Sequence, residues 1–177
     1  AHGLVYPVNA SEWTSLSDEE RIRMDKALVE RNAGRAPVVI GVAAATAETA
    51  ARFAAHAREI GADAVIALPP RGVTGLGVIF NYSRGISDAA RLPVFIQNHD
   101  GPIGTPLSPE FLIKLCRELE YVKYIKEETG GAGIETRYVG ARSDGRRGDH
   151  FHRGDVGNGH HAVAASGEQL LVFHVDG

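Results

Sequence analysis

Apolar positions along the 177-residue chain fall into two alternating patterns: short unbroken runs, and longer stretches with apolar residues every three or four positions. Residues 3–8 (Gly-Leu-Val-Tyr-Pro-Val) form a first run. Residues 38–42 (Val-Val-Ile-Gly-Val), 64–68 (Ala-Val-Ile-Ala-Leu), 94–96 (Val-Phe-Ile) and 122–125 (Val-Lys-Tyr-Ile) form four more. They are rich in β-branched residues and apolar on both faces, as buried parallel strands are. Between them lie helix signals. Ser17 with Glu20 three residues on makes a capping box, and Asp18, Glu19 and Glu20 place negative charge on the positive end of that helix. Ile22, Leu28 and Val29 give it a core side before Gly34 ends it. Thr46 caps a helix with Ala50, Phe53, Ala54 and Ala57 on one stripe, and Gly61 suits the position after its C-terminus. A third stripe comprises Val78, Ile79, Tyr82, Ile86 and Ala89. A fourth helix opens with Ser108 as cap and Pro109 at its first position, and buries Leu112, Leu115, Cys116 and Leu119.

Five strands alternating with four helices predict right-handed βαβ units and a parallel sheet, hence an α/β fold. Periodicity does not separate a barrel from an open doubly wound sheet. Beyond residue 129 the periodicities vanish. Residues 130–177 hold 11 of the 21 glycines and 5 of the 8 histidines, and only residues 170–173 (Leu-Leu-Val-Phe) read as a strand. The organisation is therefore a domain over 1–129 and an irregular Gly/His/Arg-rich segment over 130–177, either disordered or the product of a reading-frame change.

Composition narrows the function classes. Hydrophobic residues make up 44% and charged residues 23%, and the net charge is -3. That balance gives no reason to expect a nucleic acid or an anionic membrane as partner. No apolar run spans a bilayer, and the first residues lack a signal-peptide pattern. A single cysteine, Cys116, rules out an internal disulfide framework and fits a cytoplasmic location.

In a barrel, chemistry sits at the C-terminal ends of the strands. Those ends carry five short stretches, at residues 9–12, 43–46, 69–71, 97–100 and 126–129. Lys126 is the most informative. It follows the apolar pair Tyr124 and Ile125, and a lysine held in a poorly solvated mouth deprotonates more readily and attacks carbonyls. The plain alternative is an exposed lysine just past a strand.

The stretch Val-Lys-Tyr-Ile-Lys-Glu-Glu-Thr over 122–129 resembles the sixth strand of the dihydrodipicolinate synthase/N-acetylneuraminate lyase family, where the Schiff-base lysine stands in an Ile-Lys-Glu-x-Thr/Ser setting. Other signals follow the family's order. Asn9, Ala10, Ser11 and Glu12, with Leu16, Ser17, Glu19 and Glu20 behind them, are similar to its Gly-Thr-Thr-Gly-Glu loop and the helix start that follows. Residues 37–42 resemble its third strand, 57–64 the approach to its fourth, 92–96 with Asn98 its fifth, and 107–110 the next helix start. The resemblance implies a partial (β/α)₈ TIM barrel comprising strands two to six, and a class I aldolase or lyase acting on pyruvate or a related 2-keto acid. It implies Lys126 as the imine-forming amine and no metal or organic cofactor. Family members are commonly homotetramers.

The chain departs from the family where protons move. Gln97 occupies the place of the relay tyrosine after strand five, and an amide is neither acid nor base near neutral pH. Pro70 and Arg71 stand where the synthase branch has a tyrosine pair, and Asn9 and Ala10 replace its strand-two threonines. Asp100, Gly101 and Pro102 match its Pro-Gly-Arg segment without the arginine. Imine formation at Lys126 survives these changes. Backbone N–H groups around Ser11 are the expected carboxylate contacts, with Asn9, Ala10 and Asn98 lining the substrate; Arg71 reads equally as a bidentate carboxylate partner or as a solvated loop arginine. His99 and Glu12 are the first candidates for the vacant acid/base role; each also reads as merely structural.

Other motifs weigh less. Asp144, Asp149, His150, His152, His160 and His161 have no metal-ligand spacing. Glycines 130, 131 and 133 lack the Lys-Ser/Thr ending of a phosphate loop. Trp13 adjoins the carboxylate loop and either lines the pocket or covers the barrel. The competing hypotheses are a barrel fragment without activity and a small-molecule-binding α/β module without chemistry.

Overall fold

A computed structural model describes residues 3–100, 104–128 and the backbone of 161–164; of Glu127 it describes the backbone alone. The Gly130–Gly133 loop and the Asp/His group, apart from the backbone of His161, lie outside the described residues.

Five parallel strands stand in sequence order in one sheet. They are β1 (Leu4–Tyr6), β2 (Val38–Gly41), β3 (Ala64–Ala67), β4 (Val94–His99) and β5 (Val122–Glu128). Between them lie α1 (Asp18–Asn32), α2 (Ala47–Glu59), α3 (Leu76–Ala90) and α4 (Pro109–Glu118). This order settles what periodicity left open. A doubly wound sheet reverses direction at a switch point, whereas a barrel adds each strand beside the last. The architecture is α/β, five consecutive strands of a TIM barrel with the four helices between them. The lysine stretch lies inside β5, which runs three residues past the predicted end at 125, so Lys126 is a strand residue and not one beyond it.

The predicted caps are in place. The Ser17 side chain accepts from Glu20 N–H while Glu20 accepts from Ser17 N–H; Thr46 and Ser108 accept from Thr49 and Phe111. Gly61 has φ +83°, the left-handed conformation expected after α2. Two stripes differ from expectation. Val78 is 57% exposed, and α3 buries Ser83 and Ser87 beside Ile79, Tyr82 and Ile86. In α1 the predicted Ile22, Leu28 and Val29 are partly buried, while the fully buried positions are Arg21, Asp25 and Asn32.

The strand faces divide two cores. Outward residues such as Val38, Ile40, Val65, Val94, Ile96 and Ile125 pack with Phe53, Ile86, Leu112 and Leu115 of the helices. Inward residues Val39, Ala64, Ile66 and Phe95, with Val5, Val8 and Tyr124, form a smaller cluster on the lumen side. Cys116 packs against the outer core, as predicted, and burial pushes its thiol up to about 11. No helix among the described residues is long and apolar enough to cross a membrane.

One element falls where none was expected. A sixth strand, β6 (His161–Ala164), pairs antiparallel with β5, with Lys126 opposite Ala162. Residues 161–164 follow a stretch without period-2 alternation, so nothing local announced the pairing; the anticipated strand at 170–173 lies outside the described residues.

Candidate active site

Lys126 reaches the lumen through a local irregularity. Simple alternation from Val122, which faces the helices, would send Tyr124 and Lys126 outward too. The pairing of β4 with β5 instead slips between Val94 and Phe95, so that Val94 is matched by Val122 and Phe95 by Tyr124. The extra residue, Lys123, turns the rest of β5 by one face. Tyr124 then stacks on the inward Phe95 with ring centres 4.5 Å apart, and Lys126 lies beside Gln97.

Two residues on, Glu128 occupies the same face. Lys126 Nζ is 2.9 Å from Glu128 Oε1, with the two side chains 17% and 8% exposed. Gln97 Nε2 donates to the other carboxylate oxygen, Oε2, and Gln97 is itself buried. Amine, carboxylate and amide thus form one half-enclosed cluster at the C-terminal ends of β4 and β5. His99 is half-buried beside Glu128 in the same register. Glu128 was not singled out in the sequence; the signal was its spacing of two from Lys126 on one strand.

A small cavity adjoins the cluster, lined by Pro7, Val8, Asn9, Trp13, Gly41, Ala43, Ile66, Leu68 and Gln97. Asn9 and Gln97 therefore line the same cavity. Asn9 Oδ1 accepts from the indole Nε1 of Trp13 at 3.0 Å, and Trp13 is a wall of the cavity.

Other expected contacts are placed elsewhere. Asn98 alternates to the outer face. Its Oδ1 accepts from Leu107 N–H at 2.8 Å and its Nδ2 donates to Leu107 O, which anchors the approach to α4. Ser11 closes a 3₁₀ turn (Asn9–Ser11): its N–H donates to Val8 O, and its hydroxyl accepts from Val8 N–H and donates to Val8 O. That backbone N–H is already engaged and does not present itself to an anion. Ala10, Glu12 and Arg71 are exposed, and none lines the cavity. The two ends differ because 3₁₀ turns direct successive residues to different sides, while a strand sends alternate residues to one.

Behind the cavity lies a polar group unforeseen in the sequence. Arg21, 3% exposed, donates from Nη1 to Ala43 O at 2.9 Å and from Nη2 to Gly41 O at 2.8 Å. Its guanidinium stacks over Phe53 at 3.9 Å and Trp13 at 5.2 Å. Asp25, one turn on and 1% exposed, is its counter-charge; burial pushes the Asp25 carboxyl up to about 7, with Arg21 drawing it back down. The buried Tyr82 hydroxyl, held up at about 12 by burial, accepts from Ala44 N–H at 3.0 Å and donates to Ala44 O. Apolar periodicity on α1 marks Ile22, Leu28 and Val29 and carries no signal for a buried arginine and aspartate four residues apart.

Comparison with known proteins agrees with this architecture. Residues 1–142 match the sequence profile of the Dihydrodipicolinate synthetase family. L-2-keto-3-deoxyarabonate dehydratase of Azospirillum brasilense is 35% identical over 140 residues, covering 76% of this chain and 45% of the relative. The 4-hydroxy-tetrahydrodipicolinate synthase of Methanopyrus kandleri is 26% identical over 140 residues, 78% of this chain and 46% of that protein. The crystal structure of dihydrodipicolinate synthase from Aquifex aeolicus superposes with a TM-score of 0.70 at 24% identity, over 73% of this chain and 44% of that one, a likeness of fold. The chain spans about half the length of the curated relatives it matches. With its strands in barrel order, its lysine turned into the lumen and four-fifths of its length under one profile, the chain belongs to the Dihydrodipicolinate synthetase family.

Proposed function

We propose that this chain carries the Schiff-base centre of a class I lyase acting on pyruvate or a related 2-keto acid, with Lys126 as the amine and Glu128 as the group that moves protons. The observation that carries the reading is the contact of Lys126 Nζ with Glu128 on the lumen face, with Gln97 holding the second carboxylate oxygen. The named substrate of the A. brasilense relative is itself a 2-keto acid, and the naming of that relative as a dehydratase supports C–O cleavage as well as C–C chemistry.

In the reaction, Glu128 takes a proton from the Lys126 ammonium and frees its lone pair. Nitrogen attacks the keto carbon, the former carbonyl oxygen is protonated, and water leaves to give the imine. The protonated imine then accepts the electron pair released when a bond at the adjacent carbon breaks, and an enamine forms. When that bond is C–H, Glu128 receives the proton, the task that Gln97 in the tyrosine's place cannot perform. Of the first candidates for this role, Glu12 is exposed, while His99 stands in register with Glu128, two positions beyond Gln97 on β4.

Incubation with pyruvate and borohydride, followed by peptide mapping, tests the amine. The expected adduct lies on Lys126 and disappears in Lys126→Ala. Exchange of the pyruvate methyl protons in D₂O, followed by NMR, tests the carboxylate. Glu128→Gln is expected to slow it about 10²-fold or more while trapping at Lys126 persists. Folded protein without an adduct would favour the non-catalytic binding module or the inactive fragment instead.

A further inference from the structure

We propose that Arg21 is a positioning residue for the keto-acid pocket: one buried guanidinium sets the indole of Trp13 and the carbonyl ends of β2, which together form the wall shared with Gln97, and so tunes substrate affinity rather than the step at the amine. The inference rests on the 2-keto acid reading for its kinetic arm; the structural arm stands without it.

A core helix has no packing need for an arginine. Burying a guanidinium is costly unless its donors are satisfied, and an apolar side chain of similar length would fill the space under α1 more cheaply. Arg21 does not satisfy its donors generically. Its two Nη groups go to Gly41 O and Ala43 O, and both of those residues line the cavity. Its guanidinium lies over the rings of Phe53 of α2 and of Trp13, and Trp13 also lines the cavity and donates to Asn9. Nε has no hydrogen-bond partner. The guanidinium therefore sits where the strand end and the indole require it, at the cost of an unpaired Nε. Asp25, on the next turn of the same helix, is the acidic group whose ionised form raises the proton affinity of Arg21. A planar fork that bonds two carbonyls and stacks on rings is a task lysine does not perform.

The chain has one tryptophan, so its fluorescence reports this wall directly. In Arg21→Met, quenching of Trp13 by acrylamide is expected to rise at least about twofold, because the indole loses its stacking partner. The pyruvate concentration for half-maximal borohydride trapping is expected to rise about tenfold or more, with the limiting trapping rate kept within about threefold. Arg21→Lys, which keeps the charge and loses the fork, is expected to fall between, and serves as the second variant should Arg21→Met fail to fold. A folded variant with unchanged quenching and unchanged half-saturation overturns the proposal. So does a variant that lowers only the melting temperature, the signature of a helix-to-sheet strut. If the unmodified chain forms no adduct with pyruvate, the lyase reading fails while the Trp13 quenching arm still decides the role of Arg21.

Discussion

Asp25 shows how a single residue departs from the logic of its helix. Its carboxyl lies one turn after Arg21, faces the sheet and has Tyr6 of β1 within electrostatic reach. One oxygen lacks a hydrogen-bond partner. Burial raises its proton affinity from the ordinary carboxyl range to about 7 in the folded chain. The folded state then binds a proton that the unfolded state releases near pH 4, so this group's contribution favours folding at low pH and is lost as pH rises from about 4 to about 7. Urea unfolding at pH 5 and pH 8 is expected to show the unmodified chain losing on the order of 2 kcal/mol across that interval from this group. In Asp25→Asn, which does not titrate, the loss should shrink by about that amount. An equal pH dependence in both proteins would show that Asp25 is ionised throughout.

At the scale of elements, β1 and β2 meet with no room for a side chain. The chain leaving β1 passes over the end of β2 so closely that a Cβ added at Gly41 would stand 1.7 Å from Pro7 O, a backbone atom with no rotamer in which to retreat. Gly41→Ala is therefore expected to destabilise the protein by about 1–3 kcal/mol, measured by urea midpoint, and to disturb the cavity that Pro7 and Gly41 both line. Glycine is needed here for close approach, not for an unusual dihedral. The bulge at Lys123 in β5 has the opposite character: it adds a residue, and the addition turns the amine of Lys126 from the helix layer to the lumen.

For the molecule as a whole, the two faces of the sheet are unequal. The helix side holds the larger apolar cluster, with Leu112 and Leu115 at 1% and 0% exposure. The lumen side holds four buried residues and then gives way to polar groups at the strand ends. Stability should therefore reside mainly outside, and chemistry inside. Leu112→Ala is expected to cost about 2–5 kcal/mol in chemical denaturation. Ile66→Ala, on the lumen face beside the cavity, should cost less, because the smaller cluster around it leaves fewer contacts to lose. Comparable costs for the two substitutions would mean that the lumen is packed as a true core.

Local chemistry determined much of this protein. The runs at 38–42, 64–68 and 94–96, the caps at Ser17, Thr46 and Ser108 and the turn at Gly61 follow from near-neighbour propensities and read correctly from the chain. The setting of Lys126 also pointed to the right family. Tertiary structure alone decided three things. The order of strands chose barrel over doubly wound sheet. A one-residue slip in the pairing of β4 with β5 chose the face of Lys126 and brought Glu128 to it. Helix packing drew Arg21 and Asp25 inward where a periodic pattern expected only apolar side chains. Each depends on partners distant along the chain, and a pattern of neighbours carries no information about which strand lies alongside or which carbonyls wait beneath a helix.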